Sequence, residues 1–281
     1  FYLYVESFLH DDYIEYIDEY QTKFNESIKI KSLEKIVNKN GIDAEELFNL
    51  GYDLLNGNGV SIDKVKAAKY LKEASDKGHS KAMYYYAQMN LSGDGIEKNE
   101  EAAVRYFKLS ADKGDIDSMF FYGVLLATGY GIAVNKKEAI KYHKMAIEGG
   151  NTDAMLNYAI MLSEGEGIPV NKKEAIKYYK MAIERGNTKA MLNYAIMLSE
   201  GDGIPIDMKE AIKYYKMAIE NGDTDAMFKY AMMLSEGEGI LVDKKEAIKY
   251  LKLASEKGQI DAMNKLAYML YIGDGIPVDK K

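Results

Sequence analysis

From Thr152 to Glu164 the chain reads TDAMLNYAIMLSE, with Met155, Tyr158, Ala159 and Leu162 at i, i+3, i+4 and i+7. Apolar residues at that spacing line one side of a helix, because a turn closes after about 3.6 residues. A second run, KKEAIKYYKMAIE from Lys172 to Glu184, does the same with Ala175, Tyr178, Tyr179, Ala182 and Ile183. Between them stands GEGIPVN, where glycines break the periodicity. The stretch therefore predicts two helices, A and B, joined by a turn.

The pattern returns along the chain. The turns begin GNG, GDG, GYG, GEG, GDG, GEG and GDG, and their first glycines, Gly57, Gly93, Gly129, Gly165, Gly201, Gly237 and Gly273, stand 36 residues apart. A fixed period of roughly 20 to 50 residues marks an array of stacked supersecondary units. Two glycines followed by lysines also suggest a phosphate loop, but that loop needs a preceding strand and a further glycine. Neither is present here, and one phosphate does not need seven loops.

Start and stop signals agree with the periodicity. The first glycine of each turn suits a left-handed helix end, which costs a residue with a side chain about 1 kcal/mol. Helix B opens at Asp63, Asn99, Asn135, Asn171, Asp207, Asp243 and Asp279, and Glu138, Glu174, Glu210 and Glu246 stand three residues after four of them. That spacing predicts capping boxes, in which two side chains satisfy backbone amides. Lys172 and Lys173 are then expected to be solvated. A second glycine column, Gly78, Gly114, Gly150, Gly186, Gly222 and Gly258, ends helix B, and the short connection that follows predicts antiparallel neighbours. Small residues such as Ala159 and Ala182 allow close helix approach. The bulky columns, Met83 through Met263 and Tyr86 through Tyr230, are the predicted core, each side chain worth about 1.5 to 3 kcal/mol once buried.

Laid on this pattern, Ala154, Ala159, Gly165, Gly167, Ile168, Asn171, Ala175, Tyr178, Ala182 and Gly186 give a sequence that resembles the SEL-one-like repeat family, a relative of the tetratricopeptide repeats. The resemblance covers residues 43–281. In one respect the chain departs from it, since the family's Leu and Tyr on helix A stand here as Tyr158 and Leu162. The resemblance implies an all-α, right-handed superhelical solenoid of antiparallel helix pairs, with six complete pairs and a final unpaired helix A. It also implies an adaptor role in multiprotein complexes.

Residues 1–42 do not fit the repeat. DDYIEYIDEYQTKF and SLEKIVNKN read as amphipathic helices that would cap the apolar end of the array or link it to another domain. Beginning at Phe1 and ending in GIPVDKK, the chain is expected to belong to a longer protein. Phe1–Gln21 faintly resembles the tail that follows kinase-like domains in some family members. A docking region of a larger enzyme is thus one alternative function, and a structural part of a large assembly is another.

Composition narrows the partners. A formal net charge of -7 opposes a polyanion-binding role, including that of a helical-repeat reader of RNA, so no nucleic acid is expected. The absence of cysteine removes disulfides and thiolate metal sites, and fits a reducing compartment, the cytoplasm. One uncharged run, Ser118 to Val134, is almost long enough for a membrane span. Its glycines break it midway, and no membrane contact is expected.

Candidates for chemistry are few. His10, His79 and His143 are scattered, and His143 shares a column with Leu71, Phe107, Tyr179, Tyr215 and Leu251, which reads as a packed ring. Glu164 and Glu166 flank a turn and read as solvated. Nothing assembles a nucleophile, a base and an orienting group, so neither catalysis, a cofactor, a metal nor a small-molecule substrate is expected. What remains is the A-helix face, which lines the concave side of paired-helix solenoids. One of its columns runs Tyr85, Phe121, Asn157, Asn193, Lys229, Lys265, and the next contains Val124, Ile160, Ile196 and Met232. These residues predict a groove for a protein or an extended peptide. The rings would anchor an apolar group, the two Asn would hold its backbone, and the two Lys would meet an acidic stretch. The competing reading is a solvated face whose variation is drift.

Overall fold

The structure is a computed structural model and describes residues 43–275. The expected cap over residues 1–42 and the helix start at Asp279 lie outside those residues. Thirteen helices are present among the described residues: α1 Ala44–Asn56, α2 Lys64–Asp76, α3 Ser80–Ser92, α4 Glu100–Asp112, α5 Ile116–Thr128, α6 Lys136–Glu148, α7 Thr152–Glu164, α8 Lys172–Glu184, α9 Thr188–Glu200, α10 Met208–Glu220, α11 Thr224–Glu236, α12 Lys244–Glu256 and α13 Ile260–Ile272. Odd-numbered helices are the predicted A helices and even-numbered ones the B helices. They form six antiparallel pairs and a final unpaired helix. The chain divides into two compact units, Phe1–Tyr142 and His143–Lys281, which are described separately below.

Local chemistry places the helix ends. Helix B finishes in two crossed hydrogen bonds: Gly78 N–H donates to Ser75 C=O at 2.9 Å, and His79 N–H donates to Ala74 C=O at 3.1 Å. This is a Schellman motif. The same His79 then caps α3, its Nδ1 accepting from Ala82 N–H at 3.1 Å. Asp115, Asn151, Asn187, Asp223 and Gln259 cap later A helices in the same way. One residue thus closes helix B and opens helix A, which leaves the chain no length in which to do anything but reverse. The uncharged run from Ser118 is split by Gly129, and no helix among the described residues is long and apolar enough to cross a membrane.

The second glycine of each turn answers to a neighbour. A Cβ added at Gly203 would lie 2.3 Å from Lys172 Cβ, one added at Gly239 would lie 2.4 Å from Met208 Cβ, and one added at Gly95 would lie 2.3 Å from Lys64 C=O. The turns at Gly95, Gly131, Gly203, Gly239 and Gly275 therefore rest directly on the first residue of the preceding helix B. The middle residue of the turn secures the contact. Asp202 pairs with Lys172, Asp274 with Lys244, and Asp94 with Lys64 at 2.9 Å. Lys172 is accordingly not the freely solvated residue that its sequence position predicts, whereas Lys173 is exposed.

The capping boxes also take another form. The amide of Asn171 donates to Leu162 C=O at 2.8 Å, and those of Asn135, Asp207 and Asp243 donate to Leu126, Leu198 and Leu234. With the cap amide committed to helix A, Glu174 and Glu138 accept instead from the side-chain amides of Asn171 and Asn135, at 3.0 and 3.1 Å. The other half of the motif is as predicted, with Glu174 N–H donating to Asn171 Oδ1 at 3.1 Å.

Packing follows the columns. Met155, Tyr158, Ala159 and Leu162 are all buried, as are Ala175, Tyr179 and Ala182, whereas Tyr178 and Ile183 are only half-buried. The exchange of Leu and Tyr on helix A has a packing reason. Tyr158 meets Tyr178 edge-on at 4.8 Å between ring centroids, and Tyr194 with Tyr214 and Tyr230 with Tyr250 repeat the pair at 5.0 and 5.1 Å. In the first unit Tyr86 with Tyr106 and Tyr122 with Tyr142 do so at 4.8 and 4.7 Å. Such pairs contribute about 0.5 to 1.5 kcal/mol beyond the area they bury. On the unpaired helix α13 the same columns lie open, Met263 at 42% and Leu270 at 46% exposure.

His143 is buried, as the neighbouring members of its column predict. Burial lowers its imidazole pKa from 6.5 to about 4. Below pH 6.5 the unfolded chain takes up a proton that the folded ring refuses, so the stability present above pH 6.5 is lost as the pH falls toward 4.

Two outcomes are expected. Gly222 has φ 85° and no atom within 4 Å of an added Cβ, whereas Gly203 has φ 76° and the Lys172 contact. Gly222→Ala should cost about 1 kcal/mol for the left-handed backbone alone, and Gly203→Ala at least twice that, as read by urea denaturation; equal costs would refute the contact. His143→Phe should flatten the stability profile between pH 6.5 and 4 by on the order of 3 kcal/mol relative to the parent, and parallel profiles would show that the ring is not held neutral.

Candidate functional site

On the four A helices of the second unit, the positions at i, i+4, i+7 and i+11 counted from Asp153, Lys189, Asp225 and Asp261 share the outward face; all sixteen are exposed or half-buried, so this face is open to solvent. Asn157, Asn193 and Lys265 are half-buried and Lys229 is exposed. Ile160, Ile196 and Met232 lie half-buried beside them. Inter-repeat bonds tie down one edge of the face. Asn187 Nδ2 donates to Asp153 Oδ1 at 2.9 Å, and Gln259 Nε2 donates to Asp225 Oδ1 at 3.2 Å. The helix caps thus also link successive A helices.

The charge of this face differs from what its two lysines suggest. Lys265 pairs with Glu236 at 3.4 Å. On the same sixteen positions the carboxylates of Asp153, Glu164, Glu200, Asp225, Glu236 and Asp261 outnumber the amines of Lys189, Lys229 and Lys265. Lys229 and Lys265 therefore do not make a basic patch. Glu164 is exposed as expected, whereas Glu166 is half-buried.

In the first unit the same face carries a continuous run of rings. Tyr52 meets Tyr85 at 5.1 Å, Tyr85 meets Tyr84 at 5.1 Å, Tyr84 meets Phe121 at 5.8 Å, and Phe121 meets Phe120 at 5.2 Å. These five rings come from α1, α3 and α5, and all are half-buried. Buried rings support them: Phe107 stacks on Phe121 at 5.4 Å, and Phe48, itself stacked on His79 at 4.4 Å, lies 6.0 Å from Tyr85. Val124 is half-buried one turn further along α5. Tyr84 accepts from Gln88 Nε2 at 2.7 Å, and the Tyr85 hydroxyl bonds to that of Tyr52. Burial, followed by the charge of Asp117 for Tyr84 and the Tyr52 bond for Tyr85, pushes both hydroxyls up to about 12. They remain neutral donors under physiological conditions.

Of the predicted site residues, Tyr85 and Phe121 are joined through Tyr84 in the first unit, and Asn157, Asn193, Lys229 and Lys265 occupy equivalent places in the second. Sequence reasoning missed Tyr52, Tyr84 and Phe120. The signal was the pair of aromatic triplets Tyr84–Tyr86 and Phe120–Tyr122, which stand at the same phase. Their third ring enters the core pair and the first two remain on the surface. Among the described residues no group of three or more His, Cys, Asp or Glu is placed to hold a metal ion.

Comparison with known proteins follows the period. Seven consecutive segments, residues 47–79, 80–115, 116–151, 152–187, 188–223, 224–259 and 260–281, match the description Sel1 repeat. The Sel1 repeat protein of Oxalobacter formigenes is similar at 27% identity and a TM-score of 0.75, over 84% of this chain and 92% of that one. A protective antigen present in uropathogenic Escherichia coli strains, displaying an SLR fold, shares the fold at 24% identity and a TM-score of 0.71 over 84% of this chain. The chain spans about half, 51%, of that antigen's length. Yeast Tom70 shares the fold at 17% identity and a TM-score of 0.53, over 90% of this chain and 53% of its own. No match was found among curated proteins.

Proposed function

The chain belongs to the Sel1 repeat family, and from that premise we propose that it is a non-catalytic scaffold which binds a protein or an extended peptide along the outward face of its A helices. Solenoids of this family are typical of protein–protein interaction scaffolds. The observation that carries the reading is the contrast between two sets of columns on the same helices. Inward columns hardly change, with Met155, Met191 and Met227 and then Tyr158, Tyr194 and Tyr230 all buried. Packing at crystal-like density tolerates little variation there. Outward columns are solvent-accessible and change chemistry from rings to carboxamides to amines. A partner laid across successive helices would meet a different group at each repeat, which is how a solenoid of near-identical units selects one ligand.

The half-buried carboxamides of Asn157 and Asn193 support an extended peptide, because each offers a donor and an acceptor to a backbone. A net contribution of about 0.5 to 1.5 kcal/mol per bond makes them selective without dominating the affinity.

A photo-crosslinking residue at position 193 should capture the bound partner from native extract, whereas one at Lys213, exposed on helix B, should not. Capture at 213 alone would reject the proposed face. With the partner identified, Asn157→Ala combined with Asn193→Ala should weaken its binding by on the order of tenfold, about 1.4 kcal/mol, at an unchanged melting temperature. An unchanged affinity would remove the carboxamides from the site.

A further inference from the structure

The three B helices that lie wholly in the second unit carry a face which the proposed function does not use. On α8, Lys173, Lys177 and Lys180 stand at i, i+4 and i+7, and α10 and α12 repeat the row from Lys209 and Lys245. All nine lysines are exposed, and none forms an ion pair among the described residues. The rows meet through the tyrosine pairs. Lys180 lies 5.3 Å from the centre of the Tyr194 ring, which packs at 5.0 Å on Tyr214 of α10, and Lys213 lies 5.5 Å from that second ring. Lys216, Tyr230 and Tyr250 carry the arrangement on to α12, at 5.4 and 5.1 Å. The face is therefore one basic patch on a chain whose net charge is -7.

Helix stability does not explain the patch. The helix dipole favours carboxylates in the first turn and amines in the last. Here Lys173, Lys209 and Lys245 occupy first turns, whereas the last turns hold Glu184, Glu220 and Glu256 and no basic residue. Like charges three and four positions apart also repel along each row. The first unit treats the equivalent positions differently. Lys72 and Lys108, in the place of Lys180, each pair with an aspartate one turn on, Asp76 at 2.6 Å and Asp112 at 2.7 Å. Val65 and Glu101 stand there in the place of Lys173. Lysines left unpaired against the helix dipole fit an anionic partner.

The border of the patch narrows its class. Val170, Ile206 and Val242 stand three residues before the first lysine of each row and are more than half exposed, and Leu241 beside them is 90% exposed. An acidic peptide or a nucleic-acid backbone would leave these side chains in water, whereas a bilayer offers headgroup charge next to an apolar layer. The tyrosines between the lysines are packed in pairs within the fold, so the patch lacks the stacking platform that single-stranded nucleic acid uses. All nine cations are ammoniums, point charges that suit dispersed headgroups and do not grip one phosphate in two places.

We propose that the outward face of α8, α10 and α12, with its aliphatic border, docks on a membrane surface rich in anionic phospholipid. The contact is peripheral, since no helix among the described residues is long and apolar enough to cross a membrane. The uncharged run Ser118–Val134 takes no part in it. Docking through B helices leaves the A-helix residues available to a protein partner, and it offers no protein to a crosslinker at position 213. The two readings are independent, and either can fail alone.

Sedimentation of the full chain with lipid vesicles tests the proposal. Vesicles containing about one-third phosphatidylserine should bind the chain at least tenfold tighter than vesicles of phosphatidylcholine alone, and about 0.5 M salt should remove most of that preference. Lys177→Gln with Lys213→Gln and Lys249→Gln should weaken binding to the anionic vesicles at least tenfold at an unchanged melting temperature. Lys66→Gln with Lys81→Gln and Lys113→Gln, the same change in net charge outside the patch, should leave it within twofold. Leu241→Asp should weaken it at least threefold. Equal binding to both kinds of vesicle, or equal losses from the two lysine triples, would overturn the docking face. Unchanged binding by the Leu241 variant would take away the reason for a bilayer and overturn it too. Tighter binding to polyglutamate or to a DNA duplex than to the anionic vesicles would assign the patch to a protein or a nucleic acid instead.

Discussion

The structure depends on one contact at zero side-chain distance, made within each unit: the second glycine of a turn, as at Gly95, Gly131, Gly203, Gly239 and Gly275, against the first residue of the preceding helix B. At Gly203 and Gly239 a single added carbon would lie 2.3 to 2.4 Å from a neighbouring Cβ, well inside van der Waals contact. That closeness brings the middle residue of the turn onto the helix start, where Asp202 and Asp274 find Lys172 and Lys244. Repetition of the contact sets the spacing between repeats, and the other inter-repeat bonds follow from it.

Economy of connection is the second theme. A Schellman motif and a helix cap share His79, and their equivalents recur down the chain. At the other end of each pair the cap amide of helix B is bonded to a helix A carbonyl, as Asn171 is to Leu162. Backbone groups that an isolated helix would leave to water are thus used to hold the helix pair together. In five of the six helix pairs an edge-to-face tyrosine pair then locks helix A on helix B, a role that leucine could not fill with the same geometry.

With packing confined to inward columns, the outward columns are released from it. This division lets a chain of nearly identical repeats carry rings on the A helices of the first unit and carboxamides or amines on those of the second, where carboxylates outnumber amines. Under the proposed function, selectivity resides in the order of residues along the face rather than in any single pocket.

Much of this was legible in the sequence. The 36-residue period, the helix boundaries, the caps at Asn171 and Asp207, the left-handed glycines and the core columns are local properties, set by neighbours three or four positions away. Tyr85 and Phe121 could be placed on the face by the same periodicity. The partner of Lys172, the destination of the Asn171 amide and the joining of Tyr52, Tyr84 and Phe121 into one surface could not. These contacts unite residues in different helices or different repeats, and only the stacking of those elements brings them within bonding distance. The sequence by itself thus determined the elements and which side of each is apolar. The tertiary structure decided which charges are already spoken for and which rings meet, because both depend on distances that no local pattern encodes.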